Sequence, residues 1–135
     1  MGGHEVLEHT ADVGIRAHGD TLEELFFEAT LGLLGITGAR TQGEGNPVPI
    51  EVHARDLGGV LVDWLDEILY LQDARDAVIT DVRVDSVEDG SARGEVRLAP
   101  RRQVLEGTAV KAVTYHQLSV ERSDGGWVGQ VFFDV

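Results

Sequence analysis

Three stretches of this sequence carry side chains able to do chemistry. The first, His9-Thr10-Ala11-Asp12-Val13-Gly14, places an aspartate at a turn just ahead of an apolar alternation. A turn aspartate ordinarily hydrogen-bonds its own backbone, and a lone His9 is ordinarily a structural histidine. The second is Val131-Phe132-Phe133-Asp134-Val135. An aspartate buried among such neighbours is expensive unless its charge is compensated, and the Val135 carboxylate follows directly. Two negative groups one residue apart ask for a cation or strong donors, unless the strand end frays into water. The third, Val110-Lys111-Ala112-Val113-Thr114-Tyr115-His116, holds Lys111, the single lysine among 11 basic residues. Beside a carboxylate pair, Lys111 would form a structural ion pair.

If the terminal segment lies beside the first turn, Asp12, Asp134 and the Val135 carboxylate can share one metal. Oxygen-only ligation suits calcium or magnesium better than copper or iron. Paired carboxylates also serve as acid and base, but no nucleophile or substrate pocket is evident, so metal binding ranks first. No GxGxxG, GKS/T, HExxH or GxSxG motif occurs. Cysteine is absent, which excludes disulfides and thiolate sites.

The elements that must position these groups follow from hydrophobic spacing. Glu5 to His9 reads as a short strand, and Val13, Ile15 and Ala17 alternate as a second. Asp20 or Thr21 caps a helix with Glu23 or Glu24 as reciprocal partner. That helix carries an apolar face of Leu22, Leu25, Phe26, Ala29 and Leu33 and ends at Gly35 and Gly38. The loop 38–47 separates two similar halves. Val48 to Ala54 alternates as a strand. Asp56 caps a second helix with Val60, Leu61, Trp64, Leu65, Ile68 and Leu69 inward, and Asp63, Asp66, Glu67 and Gln72 elsewhere around it. From Ala77 the pattern is β: Val78, Val82 and Val84, a hairpin signal at Asp89-Gly90, a strand stopped by Pro100, a long central strand from Val110 to Val120, a turn at Ser123 to Gly126, and a last strand from Trp127 to Val135. Two helices packed on a mainly antiparallel sheet give an α+β fold in one domain, residues 1–135.

The 135 residues carry a net charge of −13. Such a field repels phosphate backbones and argues against direct nucleic-acid binding, while favouring a basic partner surface or a hard cation. No apolar run is long enough to span a membrane, and no secretory signal is visible, so a cytoplasmic location is expected.

The same three stretches carry a family resemblance. Glu8-His9-Thr10-Ala11-Asp12-Val13-Gly14 resembles the opening motif of the archease family. Asp63-Trp64-Leu65-Asp66-Glu67-Ile68-Leu69-Tyr70 resembles its second-helix signature, and Val110 to His116 and Phe133-Asp134-Val135 its closing motifs. The order is right across nearly the whole chain. Ala109 departs from the pattern, where the family often has an acid, and Arg101 to Thr108 match weakly. The resemblance implies two related α+β units, one inserted in the other. It implies an accessory activator, not an enzyme, of an RtcB-type RNA ligase in tRNA splicing and RNA repair, promoting guanylylation of the ligase's histidine and multiple turnover. It maps a metal site, commonly calcium, onto Asp12, Asp134 and Val135. Asp12, Asp134 and Lys111 become the ligase-activating residues, with His9 and His116 as supporting neighbours. Alternatives are a general chaperone or modulator of nucleic-acid-modifying enzymes such as methyltransferases, and a stand-alone metal-dependent hydrolase.

Overall fold

A computed structural model describes residues 1–8, 12–38, 44–102 and 106–135. The described residues form eight strands and two helices in the order β1 (Gly3–Glu8), β2 (Asp12–Gly19), α1 (Leu22–Thr37), β3 (Asn46–His53), α2 (Leu57–Ala74), β4 (Ala77–Glu88), β5 (Ser91–Pro100), β6 (Ala112–Val113), β7 (Ser119–Ser123) and β8 (Gly126–Asp134). This is an α+β arrangement, with two antiparallel sheets where a single sheet was expected. One sheet runs β1-β2-β8, with β6 and β7 both on the far edge of β8. The other runs β3-β5-β4. In sequence, the second sheet lies between β2 and β6, so one strand–helix unit interrupts the other.

Both helix starts work as read, and of the two glycines expected to end α1 only Gly38 does so. Thr21 caps α1 by accepting the Glu24 amide at 3.1 Å, and the Glu24 carboxylate accepts the Asp20 amide at 3.3 Å. The helix runs through Gly35 and stops at Gly38, whose φ of 71° is the left-handed conformation that glycine adopts most readily. Asp56 caps α2 by accepting the Gly59 amide at 2.8 Å.

Trp64 of α2 ties the two units together. It is fully buried, packs edge-on against Phe26 of α1 at 6.5 Å between centroids, and its ring lies over Gly94 of β5, where a Cβ would approach to 2.8 Å. Its indole N–H donates to the Thr30 hydroxyl at 2.9 Å, and that hydroxyl donates to the Phe26 carbonyl at 2.7 Å. Burying the indole therefore leaves no donor unmet.

Two expectations need correction. The long strand from Val110 to Val120 is broken: only Ala112–Val113 and Ser119–Ser123 are strand, because residues 115–118 form a turn and Gln117 takes φ 51°. The central strand of that sheet is β8 instead. The strand marked by Val78, Val82 and Val84 is β4, where Ala77, Ile79, Val82 and Val87 are buried and Val84 packs against the core, the irregularities between Ile79 and Asp81 and between Val84 and Ser86 resetting the alternation. Gln72, expected on the polar side of α2, is 2% exposed. Its position continues the Leu61, Leu65, Ile68 stripe, and its polarity hid that spacing.

Candidate functional site

The terminal strand does lie beside the first one. β8 runs antiparallel to β2 along its length, with Asp134 directly opposite Asp12, Phe132 opposite Gly14 and Gln130 opposite Arg16. Directly opposed residues share a face, with Cα atoms roughly 4.5–5.5 Å apart. Asp12 and Asp134 are thus neighbours by backbone register alone. Like charges so opposed are destabilising. The other edge of β8 is gripped by residues 111–114. The Lys111 amide donates to the Asp134 carbonyl at 2.8 Å, and both the Thr114 amide and its hydroxyl donate to the Phe132 carbonyl, at 2.9 and 3.0 Å.

Sequence explains the local packing. Val13, Ile15, Ala17, Val131 and Phe133 share the face that α1 covers: a Cβ at Gly32 would press on Ile15, and one at Gly129 on Leu25. Asp12 and Asp134 are on the opposite face. There the Phe132 ring lies over Gly14, where a Cβ would come within 2.7 Å of Cδ1, so only glycine admits the ring. His116 packs edge-on to Phe132, with centroids 6.0 Å apart. Phe132 is consequently 2% exposed even though α1 is on the other side.

The two carboxylates differ in burial. Asp12 is half-buried, while Asp134 is exposed although Val131, Phe132 and Phe133 before it are buried. The apolar strand docks, and its last side chain emerges into solvent. Among the described residues no three His, Cys, Asp or Glu side chains gather as a metal-binding group. The expected set is two side-chain carboxylates plus the Val135 carboxylate. These donors fit a hard cation in type and charge. His9 lies outside the described residues, and His116 is placed against Phe132.

Lys111 connects two surfaces. Its backbone amide holds Asp134, while the residue also borders a groove of about 580 Å³ with Asp63, Asp66, Glu67, Tyr70 and Asp73 of α2. Asp12 and Asp134 do not border this groove. Burial raises the Asp66 carboxyl above its ordinary pKa, the Val113 backbone amide opposes that shift, and the Asp63 charge adds to it. Sequence reasoning noted the acids of α2 but not the groove. The spacing of 63, 66, 67, 70 and 73 was the available signal, since residues three and four apart share a helix face.

The sequence profile of the archease protein family matches residues 4–135. The chain belongs to the archease family. A Methanosarcina mazei protein named archease is 37% identical over 142 residues, spanning 98% of this chain and 95% of the relative. The archease of Pyrococcus furiosus is 38% identical over 140 residues, spanning 97% of both. The solution structure of a Methanobacterium thermoautotrophicum protein superposes with a TM-score of 0.73 at 30% identity, over 98% of this chain and 99% of that one. A Thermotoga maritima protein described as an archease and possible chaperone shares the fold, with a TM-score of 0.68 at 24% identity. For an archease chain, the two α+β units are thus the family fold. Among the described residues no helix is long and apolar enough to cross a membrane.

Proposed function

We propose that this chain is an accessory activator of an RtcB-type RNA ligase, working in the cytoplasm in tRNA splicing and RNA repair. In this reading it promotes guanylylation of the ligase's histidine and repeated turnover. Its working surface is the Asp12/Asp134/Val135 oxygen cluster. The observation that carries the reading is the register that sets Asp12 opposite Asp134. Calcium, or magnesium in its place, would supply positive charge to offset the opposed carboxylates. The chain's own residues hold the geometry: β2 fixes Asp12, while the Lys111 amide and the Thr114 amide and hydroxyl fix β8 from its other edge.

The net charge of −13 supports a protein partner over direct contact with RNA. It steers the chain toward the cationic cleft a ligase presents to phosphates. Once docked, the acidic cluster acts by positioning and electrostatics at the ligase's nucleotide site, and the chain forms no covalent bond itself.

The test is ligation by the purified cognate ligase with and without this chain, under single- and multiple-turnover conditions. The expected result is a gain in multiple turnover, lost in both Asp12→Ala and Asp134→Ala. If neither substitution changes turnover, the site assignment is wrong. Equal stabilisation of unrelated methyltransferases would support the general chaperone instead. Hydrolysis of phosphoesters without any ligase would support a stand-alone hydrolase.

A further inference from the structure

Asp134 is held on its outer side by a strand of only two residues. The register sets Ala112 opposite Asp134 and Val113 opposite Phe133. The Lys111 amide donates to the Asp134 carbonyl at 2.8 Å, and the Thr114 amide to the Phe132 carbonyl at 2.9 Å. These donors are three residues apart while their acceptors are two apart. The segment therefore carries one residue more than β8 opposes, as in a β-bulge, and bulges interrupt the ladder that would otherwise fix a strand. So short and irregular a strand needs a second support.

That support comes from α2. Val113 is 8% exposed, and a buried amide needs a partner. The Val113 amide finds it off the sheet, in a hydrogen bond to the Asp66 carboxylate. Asp66 is otherwise poorly placed for a charge. Asp63, one turn away, repels it, and among the described residues no cation pairs with it. Lys111 borders the same groove as Asp66. α2 thus meets at Lys111 and Val113 the segment that grips Asp134.

We propose that Asp66 is a positioning residue for the Asp12/Asp134 surface: by holding the Val113 amide it fixes the Lys111–Thr114 segment, which in turn fixes Asp134. This rests on the reading of that surface as the activating one. The role needs an acceptor oxygen, not a charge. Without the acceptor the segment loosens, Asp134 is held from β2 alone, and repulsion from Asp12 splays the end of the strand.

The test compares Asp66→Leu, Asp66→Ala and Asp66→Asn in the full chain, by amide NMR without ligase and by ligase stimulation. Leucine keeps similar bulk without an acceptor, and alanine serves if the leucine protein folds poorly. Both should shift the Lys111, Val113, Thr114 and Asp134 amide resonances and speed exchange at Val113. Maximal stimulation should fall roughly tenfold, the lower end for a group that supports a site from behind, with the half-saturating chain concentration changed far less. Asp66→Asn keeps a carbonyl acceptor and should restore both readouts, and Glu67→Leu in the same groove should disturb neither. Unchanged resonances over 111–114 in Asp66→Leu and Asp66→Ala overturn the proposal, as does Asp66→Asn failing as badly as they do. Loss of stimulation in Asp134→Ala without loss in Asp66→Leu overturns it and leaves the activator reading intact. No loss in either overturns both.

Discussion

The molecule presents carboxylates in two ways. On the sheet, Asp12 and Asp134 face each other because two backbones are hydrogen-bonded in that register, and a third segment clamps β8 from behind. On α2, Asp63, Asp66, Glu67 and Asp73 border a groove because they recur at helical spacing. A helix lets long side chains splay into water, so its charges relax apart. A strand pair offers less freedom, because the short aspartates start from Cα atoms only roughly 5 Å apart. Repulsion held by backbone favours a specific cation or docked donor. Charge spread along a helix favours long-range steering.

The largest expected effect separates these two roles. Asp12→Ala or Asp134→Ala should reduce ligase stimulation by roughly 10–100-fold, the scale seen when a metal site loses supporting groups. Glu67→Gln should leave maximal stimulation intact and change mainly its dependence on ionic strength. Turnover measured across a salt series checks both. Equal losses at the two surfaces would break the distinction.

The next effect asks whether the strand pair depends on its packing. Gly14→Val drives a side chain into the Phe132 ring and should cost about 1–3 kcal/mol in urea unfolding. Adding Phe132→Leu should return part of that loss, because the two positions touch. A Gly14→Val protein of unchanged stability would mean that the ring moves freely and that the face beside Asp12 is loosely held.

Much of this surface was legible in the sequence, for identifiable reasons. Thr21 and Asp56 cap helices through local hydrogen bonds, so spacing alone located both helix starts. The pairing of β2 with β8 joins residues more than 100 positions apart, and periodicity carries no information about partners. Only the need to compensate clustered acids points to it. The failures are non-local too. Nothing in Val110 to Val120 announces that Gln117 leaves the strand conformation, since that turn is held by contacts such as the Gln130 side chain donating to the Gln117 carbonyl at 3.1 Å. Gln72 was misplaced because residue type outweighed spacing.

A smaller effect tests the helix surface by its anchor. Thr30→Val removes the acceptor of the Trp64 indole and should cost about 1–3 kcal/mol, the penalty of an unmet buried donor. Because Trp64 follows Asp63, the groove should loosen while the Asp12/Asp134 register stays. Hydrogen exchange should accordingly rise along α2 and remain unchanged in β8. A uniform rise would show that the two surfaces open together.

The smallest effect concerns Asp66, and it decides whether the groove is as passive as the helix argument requires. Burial, with help from Asp63, raises its folded pKa above the ordinary 3.8. A carboxyl raised in this way destabilises the fold when ionised. That deficit is complete above the folded pKa and shrinks as pH falls through it toward the unfolded value. Asp66→Asn should therefore be slightly more stable than the parent at neutral pH, and the gap should close on acidification to about pH 4. The gain is small because the site is partly solvated and the Val113 amide already favours the charged form. Urea midpoints of both proteins at the two pH values check this. A gap that persists or reverses would mean that the charge on Asp66 is compensated in the folded chain, and the groove would then join the strand pair as a surface arranged around a specific positive partner.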